Sequence, residues 1–365
     1  MQWSLVLLSL MGQCSFFTCR FYDYHFIKEN KTWDEAQKYC KEKYTDLATV
    51  SNMTDMKRLI NSTESQDEAW IGLHSYPEKK NRKWHWSLPG VEFNEQKARW
   101  DAGQPDDNRG NLENCALMNY NKWSDFPCTA PNKFICYNET NQSNTTCHVI
   151  SDTMTWPQAQ NYCRVNHTDL ISGLDQLDHC AESGSYMWIG LFRDTWMWSD
   201  GNSFSFRYWE SLSTEDMVHG QRDDKKCATT VLNRAGKWSL DDCNNKKPFI
   251  CFSDKVILVQ QNKTWVEALN YCRENHQDLV SITNLDEERW VQERAKNANS
   301  PFVWLGLHYS WTLESWFWVS DKEFCYNNWA SSVTDDCDKS AAMERGGQNQ
   351  WVKKPDNETY NFICF

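Results

Sequence analysis

Apolar residues at Trp33, Ala36 and Cys40 follow the i, i+3, i+7 spacing of one helical face, and polar residues fill the positions between them. Thr32 stands just before this stretch and Glu35 three residues later. Thr-Trp-x-[Glu/Gln] is a capping box: the Thr hydroxyl accepts from the third helical N–H, and the Glu or Gln reaches back to the Thr N–H. The strings Thr155–Cys163 and Thr264–Cys272 repeat the pattern, and Pro157 falls in a first turn, where a missing N–H costs little. Thr54–Ile60 and Asp286–Val291 predict a second helix. Short aromatic and β-branched runs such as Ala69–Leu73 and Lys133–Tyr137 predict strands.

These elements recur in order. Each predicted first helix is followed by Asp-Leu (Asp46-Leu47, Asp169-Leu170, Asp278-Leu279), then by WIGL or WLGL at Trp70–Leu73, Trp188–Leu191 and Trp304–Leu307. A Trp-x-Trp strand comes next (Trp84/Trp86, Trp196/Trp198, Trp316/Trp318). Phe-Ile-Cys closes each copy at Phe134–Cys136, Phe249–Cys251 and Phe362–Cys364. Repeats of about 105–120 residues are domain-sized, not solenoid units. The expected boundaries are 20–137, 147–252 and 254–365. The polar segment Asn138–Thr146 is expected to be an exposed linker.

Composition places the chain outside the cell. Its 365 residues carry a formal charge of −12, which argues against nucleic acid and anionic membranes as partners. Sixteen cysteines, with no CxxC pairs, point to an oxidising compartment. The run Leu5–Met11 suits a signal-peptide h-region with cleavage after Cys14, although no Lys or Arg precedes it. No stretch reaches the roughly 18–20 apolar residues of a membrane span, so the expected product is secreted or is an ectodomain whose anchor is absent. Nine N-x-[ST] acceptors agree: Asn30, Asn52, Asn61, Asn138, Asn141, Asn144, Asn166, Asn262 and Asn357.

A helix cysteine, WIGL, an inner cysteine pair and a terminal FIC together resemble the C-type lectin-like domain, and the tandem array resembles the mannose-receptor and phospholipase-A2-receptor group. The resemblance implies an α+β fold: three tandem domains, each with two helices, antiparallel strands and a disulfide-closed long loop. It implies Cys40–Cys136 and Cys115–Cys128 in the first repeat, Cys163–Cys251 and Cys227–Cys243 in the second, and Cys272–Cys364 in the third. The third repeat departs from the pattern: Asp356 stands where the others have Cys128 and Cys243, which leaves Cys325 as a substitute partner for Cys337. Cys19, Cys147 and Cys180 have no family partner. Cleavage after Cys14 leaves fifteen cysteines, an odd number, so one thiol is free or intermolecular.

The family's sugar site is a Ca²⁺ held by Glu-Pro-Asn or Gln-Pro-Asp, a Glu before the inner Cys, and an Asn-Asp pair after a Trp. Ca²⁺ is a hard cation that takes six to eight oxygens. The resemblance assigns Gln104, Asp106, Glu113, Ser124 and Asp125 to this site, with Ser124 replacing the family's Asn. Gln-Pro-Asp is the galactose-type order, but the loop Asp107–Leu112 lacks the aromatic that galactose binders add. The second repeat offers Ser213-Thr214-Glu215, Lys225 and Leu240; the third offers Val333-Thr334-Asp335 and Lys353. A lysine in the cage would repel Ca²⁺, so both are expected to be silent. Most of the 21 tryptophans recur between repeats and are expected in cores; Trp311 lies outside the pattern and is also assigned to the core. No catalytic constellation assembles, so the protein is expected not to be an enzyme. Two functions are compatible with these features: Ca²⁺-dependent recognition of a glycan or glycoprotein through the first repeat, as in innate pattern recognition, or a Ca²⁺-independent array that binds a protein ligand with avidity.

Overall fold

The computed structural model describes residues 21–65, 67–75, 82–108, 113–138, 146–180, 185–210, 226–312, 314–330, 340–346 and 349–365. The signal segment and Cys19 lie outside them, as do Asn141, Asn144 and Cys337.

In the first repeat β1 (Tyr22–Lys31) enters α1 (Trp33–Lys43), followed by β2 (Asp46–Leu47), α2 (Met53–Asn61), β3 (Glu68–Ser75), β4 (Lys83–Trp86), β5 (Cys115–Asn119), β6 (Lys122–Phe126) and β7 (Asn132–Asn138). The second repeat supplies β8 (Thr146–Met154), α3 (Trp156–Asn166), β9 (Asp169–Leu170), α4 (Leu174–Cys180), β10 (Met187–Asp194), β11 (Trp196–Trp198), β12 (Lys226–Val231), β13 (Lys237–Asp242) and β14 (Lys247–Asp254). The third supplies β15 (Ile257–Lys263), α5 (Trp265–Asn275), α6 (Leu285–Ala295), β16 (Phe302–Ser310), β17 (Ser315–Trp318), β18 (Ser340–Glu344), β19 (Trp351–Lys354) and β20 (Tyr360–Cys364). The second helix of the middle repeat, α4, is implied by the resemblance, although no sequence pattern located it. Its start beyond Gly173 is held by Gln176, whose side chain accepts from Ser172 N.

The capping boxes form as expected. Glu35 accepts from Thr32 N at 3.0 Å, Gln158 from Thr155 N at 3.1 Å, and Glu267 from Thr264 N at 3.0 Å. Each helix buries its Trp, Ala and Cys face. Each buried indole then donates to a carbonyl inside the WIGL strand: Trp33 to Ile71, Trp156 to Ile189 and Trp265 to Leu305, at 2.8–2.9 Å. The glycine of that strand is needed for close approach. A Cβ on Gly306 would lie 2.7 Å from the Leu279 carbonyl, and one on Gly190 would lie 2.9 Å from that of Ile171.

The third repeat closes on itself. Its sheet has the order β15-β20-β16-β18-β19 with β17 on β16, and Cys272–Cys364 ties α5 to the last strand. The first two repeats do not close in this way. One sheet, β1-β14-β3-β12-β13 with β11 on β3, joins the first half of repeat one to the second half of repeat two. The other, β6-β5-β10-β7-β8 with β4 on β10, joins the remaining halves. Cys40 is bonded to Cys251 and Cys136 to Cys163, which corrects the expected Cys40–Cys136 and Cys163–Cys251 pairs. Cys115–Cys128 and Cys227–Cys243 form as the resemblance implied, and Cys147 pairs with Cys180. Cys325 is also disulfide-bonded. The expected linker joins paired strands of one sheet, Asn138 lying opposite Thr146.

The cause of the exchange lies between the WIGL strand and the Trp-x-Trp strand. Trp196 follows Leu191 by five positions, against eleven from Leu73 to Trp84 and nine from Leu307 to Trp316. In the third repeat β16 folds back on β17, Leu307 opposite Trp318 and Ser310 opposite Ser315. The same register in the second repeat would leave Asp194-Thr195 as the entire turn. Two-residue hairpin turns favour positive φ and Asn-Gly or Asp-Gly; β-branched Thr resists it. The chain instead runs straight on. Asp194 pairs with Lys83 in one sheet and Trp196 with Ser75 in the other. A buried ion pair from Arg207 to Asp194 (2.9 Å) and a 2.5 Å hydrogen bond between the Ser75 and Thr195 hydroxyls hold this extended hinge. Shortened hinges that exchange identical elements are a known low-cost route to swapped folds.

Three tryptophans meet edge to face in every copy. Trp123 lies between Trp86 and Trp100, Trp238 between Trp198 and Trp209, and Trp351 between Trp318 and Trp329, with ring centroids 5.5–5.8 Å apart. The assignment of Trp311 to the core is corrected: it lies just beyond the end of β16 and is 58% exposed. The second helices differ at one position facing this cluster. Met56 accepts the Trp238 indole N–H through sulfur, whereas the corresponding Glu288 is buried and accepts from Trp351, Asn328 and Gln292. Burial pushes the Glu288 carboxyl up to about 7, against the lowering effect of those donors.

Three outcomes are expected. Mass spectrometry of the non-reduced chain should yield peptides linked Cys40–Cys251 and Cys136–Cys163. Inserting Gly-Asn-Gly-Ser between Asp194 and Thr195 should shift the population toward Cys40–Cys136 and Cys163–Cys251. Folded Glu288 binds its proton more tightly than the unfolded chain does, so its contribution is complete below about pH 4.5 and is lost as pH rises through about 7. Thermal melts between pH 5 and 8 should show this as a loss of up to about 3 kcal/mol, absent in Glu288→Gln.

Candidate functional site

The long loop of the first repeat leaves β4, passes the bridge between Trp100 and Trp123, and returns at β5. Cys115–Cys128 and the Trp123 cluster anchor its base, so that the residues on it meet the start of β5 and the end of β6. The Gln104–Pro105 peptide is cis, and Asp107 sits at φ 48°, in the left-handed region that Asp tolerates better than most residues.

Carboxylate oxygens of Asp106, Glu113 and Asp125 lie within 4.8 Å of one another, the one such acidic or His/Cys group among the described residues. Backbone donors hold them in place. Asp125 accepts from Asp106 N at 3.0 Å and Asp107 N at 3.1 Å, and Glu113 accepts from Asn108 N at 2.7 Å. Gln104 joins through its amide oxygen, which accepts from Asp125 N at 3.3 Å. Ser124 is the exception among the residues singled out in the sequence. It precedes Asp125 on β6 opposite Leu117, and successive strand residues face opposite sides of a sheet. Burial raises the Glu113 carboxyl, and its neighbours Asp125 and Asp106 raise it further. Burial also raises Asp125, against the backbone N–H groups and Arg193.

Three participants went unnoticed in the sequence. Asp107 accepts from Glu113 N and from two guanidinium groups. Burial pushes its carboxyl up, but the hydrogen bonds from Arg82 and Glu113 N and the charges of Arg82 and Arg193 together hold it below the usual range. Arg82 bridges Asp107 and Asn114, each at 2.5 Å. Arg193, on β10 of the second repeat, donates to Asp125 at 2.8 Å, to Asp107 at 3.1 Å and to the Glu113 carbonyl at 2.9 Å, and its guanidinium lies 4.7 Å from the Trp84 ring centre. No motif flags Arg193, because only the exchange of β10 carries it to this loop. The shortened Leu191-to-Trp196 spacing was the available signal.

The position equivalent to Asp125 carries no acid in the other two copies. Leu240 follows Trp238-Ser239, and Lys353 follows Trp351-Val352 with its amine over the Trp316 ring. Ser213–Glu215, Lys225 and Val333–Asp335 lie outside the described residues. Asn30, Asn61, Asn166, Asn262 and Asn357 are exposed; Asn52 and Asn138 are half-buried. The Asn138 amide hydrogen-bonds both members of the stacked His148–His167 pair, its nitrogen 3.2 Å from His148 Nε2 and its oxygen 3.1 Å from His167 Nδ1. Among the described residues, no helix is long and apolar enough to cross a membrane.

Known proteins resemble this chain across its repeats. C-type mannose receptor 2 of Rattus norvegicus is 22% identical over 93% of this chain and 28% of its own length. Homo sapiens secretory phospholipase A2 receptor is 21% identical over 64% of this chain and 18% of its own. Homo sapiens lymphocyte antigen 75 is 22% identical over 82% and 20%. The chain thus spans less than a third of the length of these relatives. Among solved structures, human lithostathine aligns with 30% of this chain and 80% of its own, at 23% identity and a TM-score of 0.28. The lectin C-type domain model matches residues 29–138, 152–253 and 261–365, so the chain belongs to the C-type lectin domain family, with three copies in tandem.

Proposed function

We propose that this is an extracellular recognition protein that binds glycans through a degenerate Ca²⁺ site in its first repeat, the other repeats acting as scaffold or accessory surface. The observation that carries the reading is the convergence of Asp106, Glu113 and Asp125 within 4.8 Å. Three carboxylates supported by backbone N–H groups, with an amide oxygen alongside, suit a hard cation that prefers oxygen. The six disulfides among the described residues, with Cys325 also bonded, suit an oxidising compartment. Gln104, Asp106, Glu113 and Asp125 would hold the ion; when bound, it supplies open coordination positions for vicinal hydroxyls of a sugar. The chain's own part is to fix the oxygens in advance. Asp106 N and Asp107 N orient Asp125, and Asn108 N orients Glu113. The name of the mannose receptor relatives accords with glycan binding.

A second reading, a Ca²⁺-independent array for protein ligands, draws on the guanidinium groups that already neutralise part of this cluster and on Leu240 and Lys353 in the other copies. Calorimetric titration of the full chain with Ca²⁺ separates the two. The glycan reading expects saturable binding, lost at least tenfold in Asp125→Asn, and retention on a mannose or galactose resin that EDTA releases. A chain that takes up no Ca²⁺ and is retained on neither resin contradicts it.

A further inference from the structure

We propose that Arg193, delivered by the second repeat through the exchanged strand, sets the cation affinity of the first repeat's loop, its guanidinium and a divalent cation being mutually exclusive occupants. The proposal rests on the cation-site reading above and deepens it. Three observations carry it. The Arg193 head is nearly enclosed, its side chain 11% exposed, and it contacts Asp125, whose side chain is 0% exposed, at 2.8 Å. Asp125 also accepts from Asp106 N and Asp107 N, so the guanidinium takes one of about two acceptor sites left on a carboxylate that the cation needs. The head is also tethered, since its Nε and an Nη both donate to the Glu113 carbonyl, and Arg193 lies opposite Trp84 in the β10–β4 ladder with its guanidinium over that ring. It cannot swing aside without breaking these contacts.

Two cations sharing one largely desolvated carboxylate repel each other strongly. A divalent ion therefore binds only the fraction of molecules in which the guanidinium has left, and its apparent affinity falls by that fraction. The equivalent position on the first repeat's own strand is Ser75, two residues beyond Leu73 as Arg193 is two beyond Leu191. A closed first repeat would present a hydroxyl here. The exchange substitutes a fixed positive charge, so the strand topology and the metal affinity of the loop are coupled.

The test is Ca²⁺ titration by calorimetry on the full-length chain, wild type against Arg193→Ser, Arg193→Gln and Arg193→Lys, each checked for folding by circular dichroism. Arg193→Gln keeps an amide donor for the Glu113 carbonyl without the charge, so it reports even if the serine variant fails to fold. Both neutral variants should bind Ca²⁺ at least tenfold more tightly than wild type, and Arg193→Lys should remain within about threefold of it. Adding Asp125→Asn to Arg193→Gln should abolish the gain. Equal Ca²⁺ affinity in wild type and Arg193→Gln overturns the proposal while leaving the cation site intact. A folded Arg193→Gln that still takes up no Ca²⁺ overturns both.

Discussion

A hairpin turn of two residues, Asp194-Thr195, would have to close the second repeat on itself, and that turn is the constraint from which the assembly of the first two repeats follows. Such a turn needs a residue at ease with positive φ in its tight bend. Thr195 is β-branched, and the Asp194 carboxylate is engaged with Arg207 and the Trp196 N–H. Extended backbone relieves the problem, and the straight strand necessarily leaves one sheet and enters another.

What makes the exchange cheap is that the repeats present the same partners. Ser199 donates to Asp46 at 2.9 Å in one body, and Ser87 donates to Asp169 at 2.6 Å in the other. Trp198 and Trp86 meet Trp238 and Trp123 at the same centroid separation within 0.1 Å. These core contacts recur in both bodies, so the hinge rather than the core decides between a closed and an exchanged arrangement. The disulfides then record the choice covalently, because helix and last strand are joined wherever they meet. The third repeat, with four residues between Ser310 and Ser315, turns normally and keeps Cys272 with its own Cys364.

The same topology changes the chemistry of the loop. Read along the chain, Gln104, Asp106, Glu113 and Asp125 form a cage with one weakened position. In space it holds a further acid, Asp107, and two guanidinium groups, one of them from 68 residues beyond Asp125. Placement of the carboxylates was legible because they lie on one loop tied by Cys115–Cys128. Their counter-ions were not, since Arg193 reaches them only through a neighbouring repeat's strand. Ser124 illustrates the complementary limit. A motif position can be assigned by count, but the alternation of β6 sets which face its side chain takes.

Local rules in the sequence were enough to determine the elements: capping boxes at Thr32, Thr155 and Thr264, helix faces of Trp, Ala and Cys, WIGL strands, and the tryptophans that recur in each core. These depend on residues within a few positions of one another or on burial common to all three copies. Which copy's helix meets which copy's last strand was decided only in the tertiary structure. Identical partners make the pairing locally indistinguishable, and a short, poorly turning hinge is the term that separates the two arrangements.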